Sequence, residues 1–261
     1  MVAGTAKTGW RRIAAHPQTL AWAQAAHAVG CRVAQDPAMQ AEWLQCGGTW
    51  FVGVDALPTG PDGAIGDVPL AGPAIDLLRP LPDLHPAQLS ITYPGYPRPR
   101  AGESEAAFGY RHKRDAAHMD GVTAEGADRR RHITEPHAWI LGLPLTACDG
   151  RASPLVVWEG SHRIMRHALR QRLAQIDPAD WGRTDVTDAY VAARREVFAT
   201  CRRVTLPADP GEALLLHRLC LHGVAPWEEE AVAPPEGRMV AYFRPVIAGG
   251  VAAWLAEDAD D

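Results

Sequence analysis

The chain has no CxxC pair, no long apolar run and no surplus of basic residues, and each absence removes a class of protein. Its five cysteines, Cys31, Cys46, Cys148, Cys201 and Cys220, are odd in number and scattered. That pattern argues against a disulfide framework and a zinc knuckle, and it suits a reducing cytoplasm. Arg11 and Arg12 are followed by Pro17 rather than by an apolar stretch, so neither a secretory signal nor a membrane span is expected. A soluble, cytoplasmic protein is the expectation. A net charge of −5 gives no reason to expect nucleic acid or an anionic membrane as partner. No internal repeat is evident, and Glu159-Gly160-Ser161 is not the G-x-S-x-G elbow of a serine hydrolase.

What remains is an ordinary globular composition, 47% hydrophobic and 22% charged over 261 residues, enough for one large domain or two small ones. Residues 17–29 read as a helix. Pro17 suits a first helical position, Gly30 a stop, and Trp22, Ala25, Ala26 and Val29 form one apolar stripe for packing on a sheet. From Cys46 the texture turns to short β-like runs, 49–54 and 88–93, with PGYPRPR after them as a loop. The intervening 57–73 is rich in Pro, Gly and Asp, and reads as a connector. Neither flank of it looks able to form a core alone, so residues 1–261 are taken as one domain whose helical N-terminal part ends at about 45.

Further on, 134–145 reads as a strand with His137, Trp139, Leu141, Leu143 and Leu145 on one face, and 153–162 as a strand running into a Gly-Ser turn. Two helical patterns follow. Residues 164–176 carry Met165, Leu169, Leu173 and Ile176; residues 185–201 carry Tyr190, Val197 and Cys201, with 177–185 as a loop between. Together they make a helical insertion over about 163–203. Strand-like runs 212–222 and 238–247 close the chain, and the acidic end, EDADD, reads as solvated. The expected fold is mainly β: a jelly roll, cupin-like, with N-terminal helices and a helical insertion.

Candidate chemistry centres on residues 111–122 and the triplet His118-Met119-Asp120. In extended chain alternate side chains share a face, so His118 and Asp120 can hold adjacent positions on one metal. They supply two thirds of the 2-His-1-carboxylate set of non-heme Fe(II) oxygenases. Composition alone yields about 0.8 such His-x-Asp triplets by chance, so the rest of the chain must supply support. A third ligand comes from LLLHRLCLHGV, where His217 and His222 are five apart and would face opposite ways on one strand. His222 is preferred because Gly223 leaves it beside an opening, and His217 is read as a packed histidine. Cys220 shares the face of His222 and is read as a small buried hydrophobe. An anion anchor follows in GRMVAYFRP, where Arg238 and Arg244 fall on one alternating face and either could grip a carboxylate bidentately. Arg238, nearer the strand's start, is preferred.

The ordered set HMD, WEGSH, PGEALLLHRLCLHG and an Arg opening a last strand resembles the phytanoyl-CoA dioxygenase family of Fe(II)/2-oxoglutarate oxygenases, from His118 to Pro245. The resemblance implies a double-stranded β-helix, Fe(II) held by His118, Asp120 and His222, and 2-oxoglutarate held at its far carboxylate by Arg238. It also implies that Trp139 lines the co-substrate pocket and that Gly160-Ser161-His162 is a positioning turn. This chain departs from the family at Val224, where a hydroxyl is frequent, at Trp227, where Asn is common, and in the longer path to Arg238. Asp120 fills the position that related halogenases leave small, so hydroxylation is expected over halogenation.

The implied reaction consumes 2-oxoglutarate and O2, gives succinate and CO2, and hydroxylates a small-molecule substrate. Arg129–Arg131, Arg163, Arg166, Arg170, Arg172, Arg114 and His112 are candidates to meet an anionic substrate or simply to form a solvated face. Two other readings share the metal: a cupin-like enzyme that does not use 2-oxoglutarate, and a non-catalytic metal-binding sensor or carrier.

Overall fold

A computed structural model describes residues 5–257. The strands are β1 (Trp10–Ile13), β2 (Leu44–Gln45), β3 (Trp50–Leu57), β4 (Ala87–Thr92), β5 (Val122–Glu125), β6 (Arg130–Ile133), β7 (Trp139–Pro144), β8 (Leu155–Trp158), β9 (Arg203–Leu206), β10 (Ala213–His217), β11 (His222–Val224) and β12 (Arg238–Phe243). The helices are α1 (Pro17–Gln35), α2 (Pro37–Trp43), α3 (Pro73–Asp76), α4 (Glu105–His112), α5 (Ser161–Leu173), α6 (Thr187–Thr200) and α7 (Gly250–Trp254). The chain is mainly β, and every strand pairing within its sheets is antiparallel.

Seven strands form the larger sheet in the order β1-β10-β7-β12-β4-β3-β2, three form a smaller one in the order β11-β8-β9, and β5 pairs with β6. Alternation along the strands sorts side chains into layers. Leu141, Leu143, Met239, Ala241 and Phe243 point one way, onto Trp22, Ala23 and Ala26 of α1. Ile140, Leu214 and Leu216 point the other way and meet Leu155, Val157 and Leu206 of the smaller sheet. The outer face of that sheet, Val156 and Trp158, is covered by Met165, Leu169 and Leu173 of α5 and by Tyr190 and Val197 of α6. Strand β7 is therefore buried on both faces, which explains its near-continuous apolar reading. Among the described residues no helix is long and apolar enough to cross a membrane.

Several expectations are corrected. The first helix does not stop at Gly30 but runs to Gln35; Gly30 lies against the sheet, where a Cβ would sit 2.8 Å from Met239 Sδ and 3.3 Å from Leu89 Cδ1. Glycine there permits close helix–sheet approach rather than ending the helix. Residues 212–222 are not one strand. β10 belongs to the larger sheet and β11 to the smaller, and the chain crosses between them at 218–221. The strand expected over 134–145 begins only at Trp139, and residues 111–122 open as the last two residues of α4 rather than as extended chain. β1 within the helical N-terminal part was not anticipated, since only one of its four residues is buried. Of the acidic tail, residues 258–261 lie outside the described residues, and Glu257 faces Arg170 at 3.5 Å.

Candidate metal centre

His118 and His222, 104 positions apart, meet as partners in an antiparallel bridge. The His118 N–H donates to His222 O at 2.8 Å and the His222 N–H to His118 O at 2.9 Å. The bridge adds the HMD segment to the edge of the smaller sheet, with His222 in register with Val157 on the other side. Two local devices make this docking possible. Asp115 and Ala116 both take left-handed φ values, 51° and 52°, turning the chain after α4, and Asp115 is held by a bidentate pair with Arg203 at 2.7 and 2.8 Å. Opposite them stands Gly223, where a Cβ would lie 2.1 Å from Asp115 O. Only glycine lets the two backbones pass so closely.

The triplet alternates as an extended segment must. Met119 is buried in the layer against α5 and α6, while His118 and Asp120 share the opposite face. Asp120 Oδ1 lies 3.4 Å from His118 Nε2 and 3.8 Å from His222 Nε2, and one donor atom from each of the three lies within 4.8 Å of the others. The other carboxylate oxygen, Oδ2, accepts from Arg244 Nη1 at 3.3 Å. Both imidazoles are tied at Nδ1 to backbone carbonyls, His118 to Ala116 O at 3.1 Å and His222 to Cys220 O at 2.9 Å. A carbonyl can only accept, so each Nδ1 carries the proton and each Nε2 presents its lone pair inward. Three donor atoms of the types that bind Fe(II), fixed in the ligating tautomer, suit a first-row divalent metal.

The electrostatics fit the same use. Burial alone would raise the Asp120 carboxyl, but the adjoining His118 and His222 rings and the Arg244 guanidinium hold it well below the usual carboxylate range. His222 is pushed down to about 4, by desolvation first and by its neighbour His118 second. At neutral pH the metal-free centre therefore offers a carboxylate and an uncharged buried imidazole.

The remaining candidates separate. His217 is buried on β10 with its ring 4.6 Å from that of His162, outside the trio. Cys220 is fully buried, its thiol pushed up to about 12 by desolvation and hydrogen-bonded from Ser161. The Gly160-Ser161-His162 turn acts on the backbone, since Ser161 Oγ accepts from the Leu221 N–H at 2.9 Å, one residue before His222. Arg244, not Arg238, touches the trio. Arg238 opens β12, shares the inward face with Tyr242 and lies close enough to act on its hydroxyl. Trp139 is not brought to the centre: it packs with Leu141 and Leu143 in the α1 layer, on the far face of β7. Of the arginines weighed from sequence, Arg114, Arg129 and Arg131 line a cavity beside His118, whereas Arg130 pairs with Asp185, Arg170 with Glu257, and Arg172 bonds Asp185 O. Arg163 donates to Ala6 O, Arg166 is buried on α5, and the His112 ring lies 5.7 Å from that of Phe108. A second trio of donor atoms, His27, Cys31 and Glu236, closes on itself through a 2.9 Å His27–Glu236 bond.

Two cavities flank this region. One, of about 270 Å³, is lined by Gln88, His137, Tyr242 and Arg244; the other, of about 540 Å³, includes His118 and a group of arginines.

Neither a protein-family model nor a curated protein sequence matches the chain. Among solved structures it is similar to the non-heme alpha-ketoglutarate-dependent carbocyclase SnoK from nogalamycin biosynthesis. That likeness covers 94% of this chain and 82% of SnoK, with 14% identity and a TM-score of 0.52. At that identity the likeness is one of fold, a mainly β arrangement of antiparallel sheets. AviO1 from Streptomyces viridochromogenes Tue57 has 13% identity over 95% of this chain and 94% of its own, with a TM-score of 0.43. The non-heme alpha-ketoglutarate-dependent epimerase SnoN has 13% identity over 97% and 86%, with a TM-score of 0.42. Scores this low carry no argument.

Proposed function

We propose that the chain is an Fe(II)- and 2-oxoglutarate-dependent oxygenase on a double-stranded β-helix, which hydroxylates a small molecule while 2-oxoglutarate and O2 become succinate and CO2. One observation carries this reading: two imidazoles and a carboxylate converge with both Nε2 lone pairs directed inward by backbone carbonyls. A histidine buried merely for packing has no need of that tautomer.

Fe(II) and 2-oxoglutarate, when bound, would supply the activation of O2 and the oxidising power. The chain's own residues do the rest. His118, Asp120 and His222 would hold the metal, each through one donor atom. Arg244 engages the outer oxygen of Asp120, so the inner oxygen stays turned toward the two imidazoles. Arg238 is the proposed anchor for the far carboxylate of 2-oxoglutarate, because Arg244 is already committed to Asp120. Tyr242 stands beside Arg238 and presents a hydroxyl that burial keeps protonated. The apolar interior of Ile140, Leu214, Leu216 and Val157 limits water around the centre. All five cysteines are free thiols, which suits the reducing cytoplasm proposed as its location.

The test begins without oxygen. Fe(II) and 2-oxoglutarate added together should give the visible charge-transfer band of the chelate, and admission of air should yield succinate. Arg238→Ala should weaken 2-oxoglutarate binding while leaving metal binding in place. If no band forms and no co-substrate is consumed, the reading is wrong. SnoK is a carbocyclase, so product analysis must separate hydroxylation from ring closure.

A further inference from the structure

The cavity beside His118 is built for negative charge. Six of its lining residues are arginines, Arg100, Arg111, Arg114, Arg129, Arg131 and Arg194, and none is Asp or Glu. This stands out in a chain whose net charge is −5. Arg111 is already satisfied by a bidentate pair with Glu103, at 2.8 and 2.6 Å. Arg100 also engages Glu103, through its N–H at 3.0 Å, whereas the guanidiniums of Arg114, Arg129, Arg131 and Arg194 have no carboxylate partner among the described residues. Alternation on β6 explains the sorting there, since Arg130 points away to Asp185 while Arg131 turns into the cavity.

Three of these guanidiniums are interleaved with rings. Arg131 and Arg194 both lie over Tyr190, at 5.1 and 5.5 Å from its centroid, and Arg194 and Arg114 both lie over Phe198, at 5.3 and 5.2 Å. Arg114 also covers Tyr110 at 4.0 Å. Arg194 further donates to Ala117 O at 2.8 Å, one residue before His118. Like charges brought this close repel unless something offsets them. The ring faces do so in part, and a bound anion would do so fully. The three come from different elements, the turn after α4, strand β6 and helix α6, so they reach into the cavity from different directions. Donors arranged in that way match the three oxygens of a phosphoryl group better than one planar carboxylate.

We propose that this cavity binds the primary substrate and that the substrate is a small molecule carrying a phosphoryl dianion, held by Arg114, Arg131 and Arg194 with the rest of the molecule beside His118. The substrate assignment rests on the oxygenase reading; the anion site itself does not. The dianion fixes one end of the molecule, and the carbon to be oxidised is set by its distance from that end.

The probes are inorganic phosphate and pyrophosphate, titrated calorimetrically into the metal-free full chain at fixed ionic strength, with succinate as the carboxylate control. One saturable site should appear, with pyrophosphate bound at least about tenfold more tightly than succinate. Arg131→Gln and Arg114→Gln should each weaken it about tenfold with the melting temperature kept, and Arg130→Gln should leave it unchanged. Absence of saturable binding, equal binding of succinate, or indifference to both Arg131→Gln and Arg114→Gln would overturn the proposal. The chelate band is read on the same preparations. A band without an anion site sinks this inference and spares the oxygenase reading, whereas an anion site without a band supports the site and sinks that reading.

Discussion

His217 and His222 sit five residues apart, both buried, yet they are opposite in kind. His217 Nδ1 accepts a hydrogen bond from the Leu219 N–H at 3.0 Å, so its proton resides on Nε2. His222 Nδ1 donates to Cys220 O at 2.9 Å, so its Nε2 is bare. In each case the partner is the main chain two residues away, and the direction of the bond decides what the other ring nitrogen can do. Burial does not distinguish the two, since they are 3% and 7% exposed. Tautomer does, and a metal can use only the second.

The comparison is broken most severely by exchanging the two roles. His222→Ala should cut Fe(II) or Co(II) affinity by more than the roughly 100-fold that loss of a supporting contact costs, whereas His217→Ala should leave affinity unchanged and lower only the melting temperature. Equal effects on metal binding from both would remove the basis of the contrast. Gly223→Ala comes next. Its Cβ meets Asp115 O at 2.1 Å, so it should cost roughly 3 kcal/mol in denaturant unfolding and weaken metal binding by prising the HMD segment from β11.

A pH titration sharpens the same contrast. His222 in the folded, metal-free chain titrates at about 4, below the 6.5 of an ordinary imidazole. The unfolded chain takes up that proton between 6.5 and 4 while the folded chain refuses it. Stability from this group is therefore full above pH 6.5 and falls as pH drops through the window, by up to about 3 kcal/mol. Melting temperature should follow, and His222→Gln should flatten the slope over that interval. The smallest effect is expected from Arg244→Ala. It frees Asp120 Oδ2 without touching a donor atom aimed at the metal, and a roughly 10- to 100-fold loss of metal affinity should be seen by competition with a chelator.

Parts of this arrangement were readable from the chain. His118 and Asp120 share a face because alternation in an extended segment leaves no other choice, and the apolar text of β7, β8 and β10 marks the layers around them. The meeting of His118 with His222 rests on a crossing between sheets at 218–221, and a run of alternating apolar residues reads as one strand whether or not it changes sheet. Gly30 and Gly223 show the limit more sharply. A glycine's sequence context tells that something is special, but not whether it ends a helix or clears a path for another backbone. The Arg244–Asp120 contact spans 124 positions, and nothing local to either residue signals it. Trp139 lay beyond reach for a related reason: the period of a strand says which residues share a face, not which face looks inward.

His118 is also unlike its two companions in one respect. Its side chain is 48% exposed, whereas those of Asp120 and His222 are 7% and 9% exposed. The centre is thus open on the His118 side, and that side faces the arginine-lined cavity. An ion that passes on that side shares the route of the proposed substrate. Filling the cavity should therefore slow leakage of the ion to a chelator, so that each guest keeps the other indoors.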